Sequence, residues 1–304
     1  MFDKVVVGVD GYEAGRDALA LARALVSGDG EVTLVHVEVL QRKPAPEADT
    51  RSEAERQRFG LERLGRLRDE AQIAAEVSRI QAPSARRGLH EFAANRGADL
   101  LVIGAGRHDP IAHMFLGDEA REVLDDPPCL VAVAPAGYSR HSAQIGRIGV
   151  AYDGSPESQR ALALARRIAA ERRATLSAFE AVPAPVYARD IWNVEGEIDE
   201  DVEKARQRIA ALGDVEPRAE FADDAGEGLR RYGASVDLLV LGSHKYRPPD
   251  RLLERSKSQR LADEPPSPLL VLPSAGRDGT QSRRPRTERH AADANNTQDH
   301  ERFG

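Results

Sequence analysis

The chain is poor in sulfur and in aromatic side chains. It has one cysteine, Cys129, two methionines and one tryptophan among 304 residues. A single thiol excludes an internal disulfide and fits a reducing compartment. With 5% aromatics, the cores have to be built from aliphatic side chains. No apolar run approaches the ~20 residues that span a bilayer. The opening MFDKVVVGVDG has neither the basic stretch nor the long apolar stretch of a secretory leader. A net charge of −7 argues against a general nucleic-acid-binding surface. These absences lead us to expect a soluble, cytoplasmic chain with no membrane and no nucleic-acid partner.

What is present is a repeat. VVVGVDGYEAGRDALALARAL (Val5–Leu25) returns as IGVAYDGSPESQRALALARRI (Ile148–Ile168), with Asp10 matching Asp153. Later Asp99 matches Asp237 and Pro135 matches Pro273. A period of roughly 140 residues is too long for a solenoid and suits a tandem of globular domains. The expected organisation is a first domain at 1–136, a linker at 137–145, a second domain at 146–274 and a tail at 275–304. The tail is nearly free of aliphatic residues, a composition that predicts disorder.

Each copy alternates short apolar runs with helical spacing. The first predicts strands over 4–9, 31–37, 74–80, 100–103 and 129–134, and helices over 13–26, 51–69, 85–95 and 118–124. Gly97 should close the third of these helices. The second predicts strands over 147–152, 174–180, 217–221, 238–241 and 269–272, and helices over 158–170, 199–212, 225–232 and 256–262. The segment 182–200, which holds Trp192, reads as a long loop. The fold class is therefore α/β: two tandem doubly wound, mainly parallel five-stranded domains of Rossmann-like type.

The chemistry points to one stretch in each copy. DLLVIGAGRHDPIAHMFLGD (Asp99–Asp118) and DLLVLGSHKYRPPDRLLERS (Asp237–Ser256) each run from an apolar strand through a polar loop to a helix start. That arrangement can hold a phosphate, because backbone N–H groups and the helix dipole converge there. The two loops differ in charge. Residues 107–122 hold two arginines against four carboxylates, a net −2, while residues 245–257 hold five cations against two carboxylates, a net +3. An anion would therefore favour the second loop, through side chains. Asp118 would repel a phosphate, and it serves equally as a helix N-cap. Asp10 and Asp153 end strands at the carboxyl edge, where ligands of doubly wound sheets bind. Asp-Gly at those places is also a simple turn. The histidines show no metal spacing. Cys129 opens an apolar strand and reads as a small buried hydrophobe. No hydrolase elbow or Walker loop is present, so neither a metal nor an enzymatic activity is expected.

VVVGVDG at a domain start, TLVHV (Thr33–Val37), ADLLVIG before a loop and CLVAVAP at a domain end together resemble the universal stress protein family over both copies. The resemblance implies a five-stranded α/β fold, dimers or tandem pairs that act as internal dimers, and ATP binding in one subgroup. That subgroup carries Gly-x2-Gly-x9-Gly-Ser/Thr. Here Gly104 and Gly117 match, Arg107 takes the second glycine and Asp118 the hydroxyl position. In the second copy Gly242 and Ser256 match, while Lys245 and Arg255 stand for glycines. The resemblance sets the adenine beside Asp10 and Val37 in the first copy and beside Asp153 and Phe179 in the second, where the bulkier Phe179 could fill the cavity. The expected protein is a non-enzymatic stress-response module acting in regulation or interaction, with nucleotide binding lost or altered. Its domains should form an internal pseudo-dimer through strands 130–134 and 269–272. Protein partners and a further homodimer remain open, and the alternative is an ATP or nucleotide sensor.

Overall fold

The apolar runs become strands, of which the central ones are buried on both faces. In the first half the strands are β1 (Phe2–Gly8), β2 (Val26–Val39), β3 (Ala75–Ala82), β4 (Leu100–Gly104) and β5 (Leu130–Ala134). The second half contributes β6 (Arg147–Ala151), β7 (Thr175–Val182), β8 (Glu216–Phe221), β9 (Leu238–Gly242) and β10 (Leu269–Leu272). The helices are α1 (Glu13–Leu25), α2 (Glu53–Glu70), α3 (Ala85–Arg96), α4 (Pro156–Arg172), α5 (Glu195–Ala210) and α6 (Ala225–Gly233). This is a computed structural model that describes residues 1–9, 13–40, 53–105, 123–124, 126–141, 144–182, 195–222, 225–242 and 265–273. Met1–Ser274 form one compact unit. The expected tail, the loop residues up to Trp192, the helix over 256–262 and most of that over 118–124 lie outside the described residues.

The strands form a single sheet in the order β3-β2-β1-β4-β5-β10-β9-β6-β7-β8. Every pairing within a half is parallel. The exception joins the halves: β5 and β10 pair antiparallel, with Leu269 opposite Val133, Leu270 opposite Ala132 and Val271 opposite Val131. These are the two strands that the sequence led us to bring together. Each face of the sheet carries a core that continues across this junction. One holds Val5, Val7, Leu21 and Leu34 with Ile148, Val150, Leu162 and Ile209. The other holds Val6, Val35, Leu101 and Val133 with Phe179, Leu229, Leu239 and Leu269.

Local chemistry explains the ends of two helices. Ser84 caps α3 by accepting from Arg87 N, and Gly97 closes it in the left-handed conformation, at φ 59°. Ser155 caps α4 in the same way, with Pro156 in the first turn, where a missing N–H costs nothing. Two expectations move. β2 starts at Val26 rather than Glu31, because Phe2 pairs with Val26 across a register irregularity in β1. α5 starts at Glu195 rather than Asp199, where early acidic residues favour the positive end of the helix dipole. The outer edge strands are guarded by charge. Glu76 of β3 pairs with Arg96 at 2.7 Å, and in β8 Glu216 pairs with Arg218 and Glu220 with Arg231, both at 2.6 Å. Pro217 also interrupts β8 as a donor strand. Such edges resist further strand addition.

One device repeats at the amino edge of each half. Asp99 Oδ2 accepts the amides of Asp3 and Lys4, at 3.1 and 3.0 Å. Asp237 Oδ2 accepts those of Gly146 and Arg147, at 3.0 and 2.8 Å. The acid that opens the DLLV strand thus fastens the first strand of its half. Burial alone would raise the Asp237 carboxyl. The Arg147 guanidinium and the two amides outweigh it and hold the group below its ordinary value. A carboxyl with a lowered native pKa stabilises above its unfolded value and loses that contribution as pH falls through the native one. Asp237→Ala is therefore expected to cost about 1–2 kcal/mol at pH 7, the low end for charge-assisted bonds because the carboxylate reaches solvent. In urea unfolding, the gap between wild type and variant should close below about pH 4.

Candidate functional site at the carboxyl edges

Because β5 and β10 run antiparallel, the carboxyl edges of the two half-sheets lie at opposite ends of the sheet. Each carboxyl edge adjoins the amino edge of the other half. Of the residues that the sequence marks as a site, Val37, Gly104, Asp153, Phe179 and Gly242 are described. Asp10, Arg107, Gly117, Asp118, Lys245, Arg255 and Ser256 lie outside the described residues.

The two glycines that end β4 and β9 do the same thing. A Cβ on Gly104 would fall on the backbone of Ala14 in α1, and one on Gly242 would lie 2.8 Å from Glu157 in α4. The first helix of each half crosses its fourth strand so closely that only glycine fits. Asp153 is used locally. Its Oδ1 accepts the amide of Ser155 at 3.0 Å, across Gly154 at φ 77°, and Gln159 Nε2 holds the Gly154 carbonyl at 2.9 Å. The carboxylate closes the turn that leads into α4.

The strand register corrects one correspondence. Gly8 pairs with Val35 and Ala151 with Phe179, so Phe179 stands at the level of Val35, not Val37. Val35 pairs onward with Ser78 and Val37 with Ile80, while Phe179 pairs with Arg218 and Ala181 with Glu220. The level of Val37 is thus taken by Ala181. The same match appears above the sheet, where Gly88 lies over Val37 and Ala82, and Gly228 over Ala181 and Ala222. Phe179 belongs to the core. It is 3% exposed and stacks on Tyr232 with centroids 4.5 Å apart at 10°, a pair worth about 0.5–1.5 kcal/mol beyond its buried area. The Tyr232 hydroxyl meets Ser177 Oγ at 2.6 Å and donates to Ser177 O at 3.1 Å. Burial pushes its phenol up to about 12. Gly149 makes room for this ring, since a Cβ there would lie 2.7 Å from the hydroxyl.

Two histidines and the cysteine take structural places. His36 Nδ1 donates to the Val9 carbonyl at 3.0 Å, and His90 Nε2 bonds the Val123 carbonyl at 2.9 Å. The Cys129 thiol is pushed up to about 12, chiefly by burial and then by Asp99, which leaves it a poor nucleophile at neutral pH. Among the described residues no group of three His, Cys, Asp or Glu side chains is placed to hold a metal. No described helix is long and apolar enough to cross a membrane.

One polar residue had no reading in the sequence. Asp17 in α1 is 1% exposed. It accepts Gly137 N at 2.7 Å, Ser139 N at 2.8 Å and Ser139 Oγ at 2.7 Å. The available signal was a carboxylate inside the buried face of an alanine- and leucine-rich helix.

Two doubly wound half-sheets joined through their last strands define a tandem α/β protein of Rossmann-like class. The sequence model of the Universal stress protein family matches residues 1–135 and again 144–273. The chain belongs to the universal stress protein family. It is 28% identical over 138 residues to a Thermus aquaticus protein described as "Universal stress protein in QAH/OAS sulfhydrylase 3'region", a match covering 43% of this chain and 97% of that one. A universal stress protein from Archaeoglobus fulgidus DSM 4304 has a similar fold, with TM-score 0.60 at 17% identity, covering 89% of this chain and 98% of that one. A functionally unknown protein from Pseudomonas aeruginosa PAO1 has TM-score 0.58 at 15% identity, covering 89% and 92%.

The packing role of the two glycines is open to measurement. Gly104→Ala and Gly242→Ala should each lower the urea midpoint by the equivalent of about 1–3 kcal/mol, as overpacking does. Unchanged midpoints would mean that these glycines are not held by the helix contact.

Proposed function

We propose that this chain is a non-catalytic stress-response module that works through macromolecular interaction, and that the glycine-lined phosphate cradle of the ATP-binding subgroup has been given up in both halves. The observation that carries this reading is the fate of the motif glycines. Gly104 and Gly242, the one motif glycine at the same position in both halves, are packed against the backbones of Ala14 and Glu157. Their role is met without a ligand. The next glycine position holds Arg107 in one half and Lys245 in the other, where a side chain would intrude on a phosphate held by backbone amides. The described carboxylate of the edge, Asp153, closes its own turn.

The second reading is a nucleotide sensor using the second half. Two observations favour it over the first half: the net +3 of residues 245–257 against −2 for residues 107–122, and the presence of Ala181, not Phe179, at the level of Val37. A bound ATP would then be held by Lys245 and Arg255 through their charges.

Thermal unfolding of nucleotide-free protein, with and without millimolar ATP and Mg²⁺, separates the two. A ligand at 100 times its Kd stabilises by about 2.7 kcal/mol. The expected outcome is no shift. A shift abolished by Lys245→Glu with Arg255→Glu, but kept in Arg107→Glu, would replace the first reading with the second.

A further inference from the structure

The pairing that joins the halves does not by itself choose a partner. β5 (LVAVA) and β10 (LLVL) are short, apolar and buried. Each has its other side occupied, by β4 and β9 respectively. The β10 of a second copy would meet the same hydrogen-bonding groups and the same apolar faces. An exchanged dimer, with β5 of each chain on β10 of the other, would keep every contact of the sheet. Only the segment between the halves differs in such an exchange.

That segment is held in place. After β5 the chain turns at Gly137, at φ 80°, into a single 3-10 turn over Tyr138–Arg140. Asp17 takes three hydrogen bonds from it, Arg140 pairs with Glu13, and Tyr138 packs against the core that spans both halves. A carboxylate as buried as Asp17 is costly unless its oxygens are satisfied, and the segment supplies their partners. The internal repeat shows that the fold does not require an acid here. The aligned position in α4 is Arg160, a residue of opposite charge that instead donates to the Pro273 carbonyl at 3.3 Å. Asp17 is thus matched to the connecting segment and not to the helix it sits in.

We infer that Asp17 is an intramolecular latch, which selects pairing of β5 with β10 of the same chain over pairing with β10 of a second copy. By fixing the first turn after β5, it directs the chain across to β6 and keeps the effective concentration of the chain's own β10 above that of any other.

Cross-chain disulfides read this directly. Two full-length chains are made, one with Val131→Cys and a size tag, the other with Val271→Cys. Both carry Cys129→Ser, the residue found at the aligned position 267. Val131 and Val271 stand opposite each other in the ladder, so a mixed disulfide forms only when β5 of one chain pairs with β10 of the other. The chains are unfolded together in urea, refolded, oxidised and resolved by size. With Asp17 intact the mixed product should be scarce. Asp17→Ala in both chains should raise it about tenfold, the ratio given by ~1.4 kcal/mol. Gly137→Ala, which strains the turn at its positive φ while the Asp17 carboxylate stays in the chain, should raise it too, and it decides the matter if Asp17→Ala does not refold. Asp99→Ala removes the bonds to the Asp3 and Lys4 amides at the amino edge of the first half, the end of the sheet opposite the turn after β5, and should leave the yield at its low level. A folded Asp17→Ala chain with wild-type yield would overturn the latch. So would an equal rise in Asp99→Ala, which would make exchange a consequence of lost stability in general.

Discussion

The antiparallel meeting of β5 and β10 is the contact on which the rest of the architecture depends. Within a half, every strand is parallel to its neighbours and covered by helices, as parallel sheets require. Each half alone would leave one apolar strand edge open, and an open apolar edge is an aggregation hazard. Joining the two open edges removes both, continues the apolar layers on the two faces of the sheet, and leaves β3 and β8 as the outer strands. Those strands carry paired charges and a proline. These features guard the outer edges against strand addition.

The same contact sets where the two candidate sites lie. It turns the two carboxyl edges to opposite ends of one sheet, so each candidate site lies beside the amino edge of the other half. Comparing the halves separates fold from adaptation. Positions that agree serve packing: Asp99 and Asp237 fasten first strands, and Gly104 and Gly242 admit first helices. Positions that differ lie at the junction or over the sheet. Asp17 and Arg160 differ because the chain leaves β5 through the connecting turn and leaves β10 through Pro273. Gly149, Phe179 and Tyr232 replace Val6, Val35 and Phe92 as a set, since the larger rings need the space that Gly149 leaves. The second half has thereby filled its interior with an aromatic pair while leaving a small residue, Ala181, nearer the edge.

Much of this was legible from residue order. Apolar runs bounded by glycine and proline marked the strands, and Ser84 and Gly97 marked the ends of α3 by their own capping chemistry. The match of Phe179 to Val37 failed for a definite reason. The two copies reach their second strand by routes of different length, with a glycine-bearing lead of 26–30 in the first and a left-handed Arg173 in the second. A side-chain period of two makes a slip of two residues invisible to the hydrophobic pattern. Asp17 was unreadable because its partners lie about 120 residues away and are mostly backbone amides, which leave no mark in a sequence.

The amino-acid sequence by itself determined the repeat, the strand and helix types, the apolar faces and the family, because these rest on local spacing and on short motifs. The tertiary structure alone decided that Phe179 stands level with Val35, two residues from the position the sequence match implied, that it is buried against Tyr232, and that Asp153 is used in its own turn. It alone also assigned the connecting segment to Asp17. Each of these depends on which groups face one another across long separations, where close packing and the need to satisfy every buried polar atom select among alternatives that look equal along the chain.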